Sequence, residues 1–227
     1  DAGFLALQGR FLLSRWPYGL AELAPPPATL PLRILVVVSA PEDQRPLNTE
    51  KEIAAIQEAL DEAVRTERVQ AQYLDDATLE AIGQAVRSFQ PHVLHYTGHG
   101  KYDEAQGRST LALENEEGQT RPAGIAELKP HILAGRELRL VVLSGCQTAQ
   151  TRAVDAFSGV ATGLLQADLP AVLAMQFTIL DRAGIRLAQA FYASLAGGDS
   201  VSQAVQAARL ALRDFEEGPG YDWGVPA

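Results

Sequence analysis

The sequence predicts an α/β fold with a mainly parallel sheet and helices on both faces. Two observations carry this. RILVVVSA (33–40) is a continuous apolar, β-branched run, and HVLHYTGHG (92–100), LRLVVLSG (138–145) and LPAVLAMQF (169–177) likewise read as buried strands. Runs of this kind mark strands covered on both sides. Stretches with apolar residues at helical spacing lie between them. Strands alternating with helices make βαβ units, and right-handed crossovers limit the topologies open to them.

Taken in order, residues 1–30 form an N-terminal segment of mixed character. FLALQGRFLLSRW has strand-like pieces around Gly9, and PPPATLP then breaks the pattern and reads as a connector. The domain proper is expected over 31–227 and begins with the strand RILVVVSA. A helix follows over Glu50 to Val64, with Ile53, Ile56, Leu60 and Val64 as its apolar stripe. VQAQYL (69–74) is the next strand, and Asp76 is placed to cap the helix ATLEAIGQAVRSF. Pro91 stops that helix before the strand of HVLHYTGHG, and STLALEN reads as part of a hairpin. A helix is expected over 123–133, then the strand of LRLVVLSG, a short helix over 159–166 and the strand LPAVLAMQF. Two helices, 182–195 and 200–216, complete the pattern.

Composition narrows the function. Hydrophobic residues make up 47% and charged residues 21% of the 227, the balance of a globular chain with a substantial core. A net charge of −9 argues against direct nucleic-acid binding, which needs a basic face, and against docking to anionic membranes. No apolar run reaches transmembrane length, and no signal peptide is visible. One cysteine excludes an internal disulfide framework and fits a reducing, cytoplasmic setting. A nucleotide-binding reading lacks its motif: VVVSAPEDQRP, after the first buried strand, contains no glycine.

In open α/β sheets, chemistry sits beyond the carboxyl ends of the strands. Two runs end there with reactive side chains, His99 in HYTGHG and Cys146 in LSGCQT. A thiol is a nucleophile as thiolate, and a nearby imidazole can generate or stabilise that form. If strands 92–97 and 138–143 are neighbours, both side chains emerge at one sheet edge. Gly98 and Gly100 let the backbone turn and leave room for a substrate carbonyl, and the N–H groups of Gly100 and Cys146 are candidates for an oxyanion hole. The bland alternative is a small buried hydrophobe at position 146, although polar Gln147 and Thr148 follow it. His92 and His95 differ in parity and read as core or supporting residues rather than catalysts. A zinc site from His95, His99 and Cys146 can be drawn, but no HExxH or CxxC spacing supports it, so neither metal nor cofactor is expected.

HVLHYTGHG, LVVLSGCQTA, AVLAMQFTILDRAG, FYASLAGGDSVSQAVQAAR and YDWGVP, in that order, resemble a CHAT domain over about residues 30 to 225. CHAT domains are caspase-like cysteine peptidases, in the clan of caspases, gingipains and separase. The resemblance implies a caspase-like three-layer sandwich, with His99 as catalytic histidine and Cys146 as nucleophile, a dyad that requires no acidic third member. Cys146 follows His99 by 47 positions, close to the spacing of about 50 in caspases. Phe177 stands where many members have tryptophan. The start at DAGFLAL and the stop soon after Trp223 suggest a piece of a longer polypeptide.

Resemblance also implies a protein substrate and a regulatory sensor outside this sequence, such as TPR repeats or a SAVED domain, in bacterial signalling or antiviral defence. Targets in such systems include gasdermin-like pore formers. Phe177 to Asp181 matches the spacing of a WxxxD element in separase, whose aspartate lies at the base of the pocket for arginine. Asp181 is accordingly a candidate substrate-binding residue selecting Arg before the cut, since a buried carboxylate pairs bidentately with guanidinium. Its other reading is a cap for the helix starting at Arg182. Against the peptidase stands a second function, a catalytically silent caspase-like interaction or sensor module; the intact pair of His99 and Cys146 favours the first.

Overall fold

The computed structural model describes residues 28–47, 49–103, 106–145, 157–174 and 181–213. Five parallel strands form the central sheet: β1 (Leu32–Val38), β2 (Val69–Leu74), β3 (Val93–Thr97), β7 (Leu140–Ser144) and β8 (Ala171–Ala174), in spatial order β2-β1-β3-β7-β8. Between β3 and β7 the chain makes a separate antiparallel sheet from β4 (Gly100–Asp103), β5 (Arg108–Glu114) and β6 (Thr120–Ala123). The helices are α1 (Thr49–Arg65), α2 (Leu79–Phe89), α3 (Ile125–Ile132), α4 (Ser158–Leu165), α5 (Asp181–Gly197) and α6 (Val201–Arg213). α1 packs on α5 and α5 on α6, while α2 packs on α3 and α3 on α4, which makes the layers of an α/β sandwich.

Burial follows strand position. The central strands β3 and β7 are buried throughout, and the second half of β1 is as well. This is what runs such as LRLVV require, since helices cover both of their faces. β2 at the sheet edge is mostly half-exposed and carries Gln70 and Gln72.

Several local expectations are corrected. In α1 the buried face is Thr49, Glu52, Ala55, Ile56, Leu60 and Ala63, and Val64 is 43% exposed. Ala55 and Ala63 lie on the buried face, where small side chains allow close approach, and the β-branched Val64 is left in solvent. Thr78, not Asp76, caps α2: its side-chain oxygen accepts from the Ala81 N–H at 3.2 Å. Asp76 accepts from the Thr78 N–H at 3.3 Å, an Asx-type turn that leads into the cap. Ala123 ends β6, and α3 starts after Gly124 with Glu127 reaching back to the Gly124 N–H. The described part of the fifth run forms β8, and its continuation at 175–180 lies outside the described residues, as do the strand-like pieces around Gly9.

Candidate active site

The strand order reverses at β1. The chain runs outward from β1 to β2 and then returns across it to β3, so the loops leaving β1 and β3 diverge and open a crevice at the carboxyl edge. Arg45 lies in the first loop and His99 in the second. The His99 ring spans the crevice, with Nε2 2.8 Å from the Arg45 carbonyl oxygen. A carbonyl can only accept, so Nε2 carries the proton; in the neutral ring the lone pair is then on Nδ1. Arg45 precedes Pro46, and a residue before proline is pushed toward extended conformations, which presets the direction of this carbonyl.

Both loops are anchored. Asp43 accepts from the Thr120 N–H at 2.9 Å and from its hydroxyl at 2.6 Å, and Gln44 reaches the Thr120 hydroxyl at 2.9 Å. The Thr120 hydroxyl is the main cause holding the Asp43 carboxyl below its usual range. The His99 carbonyl takes the Ala112 N–H at 2.9 Å and lies 2.8 Å from the Tyr96 hydroxyl. Tyr96 is fully buried, and burial pushes its phenol well above the usual range, so the hydroxyl keeps its proton as a donor.

β3 and β7 are adjacent and parallel, with Thr97 opposite Ser144. The segments leading to His99 and to Cys146 therefore leave the sheet side by side. The Gly98 N–H donates to the Ser144 carbonyl at 3.2 Å, so the ladder runs past the strand ends. Cys146 itself, Gln147, Thr148 and Phe177 lie outside the described residues. Gly145 is described, and its backbone touches Gly98: a Cβ added there would come 2.5 Å from the Gly98 oxygen. The Phe157 ring, buried just before α4, fills the remaining space; a Cβ at Gly100 would meet it at 2.6 Å, and one at Gly145 also at 2.6 Å. Glycine at 145 and 100 is thus required by close packing of two loops and one ring. Gly100 opens β4 opposite Leu111. Asp181 is the first residue of α5, with its side chain outside the described part.

Beneath the loops lies a polar cluster that sequence reasoning missed. Glu52 in the first turn of α1 is 4% exposed. Its Oε2 accepts from the Thr97 hydroxyl at 2.7 Å and its Oε1 from the Ser144 hydroxyl at 2.6 Å. His95 places Nε2 3.4 Å from Glu52 Oε1, a contact too long to count as a formed hydrogen bond. His95 Nδ1 lies 2.9 Å from the Tyr192 hydroxyl on α5. Burial alone would raise the Glu52 carboxyl; His95 and the two hydroxyls outweigh it and hold it below its usual range. Tyr192 is pushed well above the usual phenol range, first by burial and then by the Glu52 charge. The signal for this cluster was present: Thr49, Glu52, Ile56, Leu60 and Ala63 share a helical face, and only one of them is acidic. His92 and His95 are both buried, His95 as a member of this cluster.

The class defined by this sheet, with a histidine and the path to a cysteine at adjacent strand ends, is the caspase-like α/β fold. Among solved structures the chain is similar to the Drosophila initiator caspase Dronc, with a TM-score of 0.51 at 10% identity over 83% of this chain and 75% of that one. That likeness shows the fold. The family model of the CHAT domain matches residues 12–225, and the chain belongs to this family of caspase-like cysteine peptidases. No curated protein matches it. Among the described residues, no helix is long and apolar enough to cross a membrane.

Proposed function

We propose that this domain is a cysteine endopeptidase that cuts a protein target with His99 and Cys146. The observation that carries the reading is the hydrogen bond from His99 Nε2 to the Arg45 carbonyl, which leaves the lone pair of the neutral ring on Nδ1, on a loop that follows the strand next to the one leading to Cys146. In this reading the Cys146 thiol gives its proton to Nδ1, and the thiolate attacks the scissile carbonyl carbon. The carbonyl oxygen becomes an oxyanion, received by the N–H groups of Gly100 and Cys146. His99 returns the proton to the amine as the C–N bond breaks, leaving a thioester on Cys146. Water, deprotonated by His99, hydrolyses the thioester and restores the thiol. The Arg45 carbonyl holds the ring in orientation and stabilises the imidazolium, the task a carboxylate performs in other triads.

We propose further that Asp181 selects arginine before the cut, and that a regulatory module beyond this sequence, of sensor type, controls the enzyme in bacterial signalling or defence. The support is the Phe177–Asp181 spacing and the family. Incubation of the purified protein with a fluorogenic peptide library tests both statements. Cleavage after Arg is expected, lost in Cys146→Ala and His99→Ala. Asp181→Ala is expected to lose the Arg preference while keeping the fold. An active Cys146→Ala protein would sink the dyad, and cleavage after Asp with arginine substrates ignored would sink the pocket.

A further inference from the structure

We infer that Glu52 is a positioning residue for this peptidase, one carboxylate that sets the separation of the two strand ends carrying His99 and Cys146. The inference rests on the peptidase reading and deepens it.

The geometry is one oxygen per strand. Oε2 holds Thr97, two residues before His99, and Oε1 holds Ser144, two residues before Cys146. Thr97 and Ser144 are opposite one another in the β3–β7 register, 1% and 4% exposed, so the carboxylate bridges the pair from below. Its own position is fixed as well. α1 begins at Thr49, four residues after Arg45, so the turn that carries Glu52 also roots the loop whose carbonyl orients the His99 ring. Behind the carboxylate, His95 and Tyr192 continue the chain of polar contacts to α5.

A purely structural explanation fits poorly. Ladder hydrogen bonds already join β3 to β7, through the Gly98 N–H beyond the last register pair. Packing alone would be served by an apolar side chain at position 52, at lower desolvation cost than a buried carboxylate. What a carboxylate adds is directional: two charge-assisted bonds of fixed length to two neighbouring strands. Attack by a thiolate assisted by an imidazole is sensitive to sub-ångström placement, and these two bonds lie one dipeptide away from both reacting residues.

The test uses the whole protein. Its single cysteine makes iodoacetamide a reporter of Cys146 alone. Five variants, Glu52→Gln, Thr97→Val, Thr97→Ser, Ser144→Ala and the double Thr97→Val/Ser144→Ala, are compared for kcat, KM, the pH profile of alkylation, and melting. Glu52→Gln is expected to lower kcat about tenfold or more with KM within about twofold. It should also move the alkylation profile toward that of free cysteine. Each hydroxyl variant should lower kcat several-fold, the double less than additively, because both act through one carboxylate. Thr97→Ser, which restores a hydroxyl, should recover most of the loss. If Glu52→Gln does not fold, the hydroxyl variants decide. Folded Thr97→Val and Ser144→Ala with wild-type kcat and alkylation profile overturn this inference alone. Wild-type cleavage insensitive to Cys146→Ala overturns the peptidase reading, and this inference with it.

Discussion

Gly145→Ala adds one methyl group directly between the chain segments that follow β3 and β7. The new Cβ would sit 2.5 Å from the Gly98 carbonyl oxygen and 2.6 Å from the rim of the Phe157 ring. Both distances are about 1 Å inside ordinary van der Waals separation. The ring can tilt, but Gly98 O belongs to a backbone held by the Ser144 ladder bond and by Tyr96 packing, so the β3 and β7 loops must part. Overpacking of this kind costs about 1–3 kcal/mol. In a chain of this size each 1 kcal/mol lowers Tm by about 2–4 °C. Activity should suffer more than stability, because a displacement of about 1 Å between reacting groups can cost on the order of 10²-fold. Gly197→Ala is the matched control: nothing lies within 4 Å of a Cβ there, at the last residue of α5. It should be neutral or stabilising. Differential scanning calorimetry and peptide turnover on both variants read the two quantities separately. A Gly145→Ala protein with unchanged Tm and unchanged kcat would refute the claim that the loops touch at this glycine.

Phe157→Ala removes the ring shared by Gly100 and Gly145; as a buried aromatic truncation it should cost about 3–5 kcal/mol in denaturant unfolding. Thr78→Ala should cost about 1 kcal/mol through the lost α2 cap, and Asp76→Ala clearly less; the reverse order in urea midpoints would restore Asp76 as the cap. The Glu52 carboxyl is lowered in the folded state, so its contribution is full above the unfolded value of about 4.3 and is lost as pH falls through the lowered folded value. Urea midpoints of wild type should therefore fall on that acid limb, and those of Glu52→Gln should fall less steeply.

The sheet was legible because its signal is redundant. The central strands β1 and β7 are dominated by consecutive apolar residues, as strands buried on both faces require, and β3 keeps its place among them through Val93, Leu94 and Tyr96. His99 and Cys146 could be picked out as candidates because each follows a glycine just beyond an apolar strand, where the fold class puts chemistry. The parts that escaped are long-range or of the main chain. Glu52 looks like an ordinary first-turn acid until β3 and β7 are known to be neighbours, since its partners stand 45 and 92 residues away. Val64 matched the helical period of Ile56 and Leu60 but fell off the buried face once Ala55 and Ala63 set how close α1 could lie. The Thr78 cap displaced Asp76 by local geometry, at a range where sequence fixes a boundary only to within a residue or two.

The group that orients the His99 ring is a peptide oxygen, and this changes what mutagenesis can see. A side-chain acid in that place would announce itself in any alanine scan. Here every residue type brings the same carbonyl, so position 45 would tolerate substitution freely while the proton on the histidine still depended on it. The vulnerable elements are those that hold the loop's course: Pro46, which restricts the backbone before it, and the Asp43–Thr120 contact, which fastens the loop to a different sheet. An alanine scan of this domain would thus mark sensitive sites around an apparently silent one, and the silence would hide the atom that orients the ring.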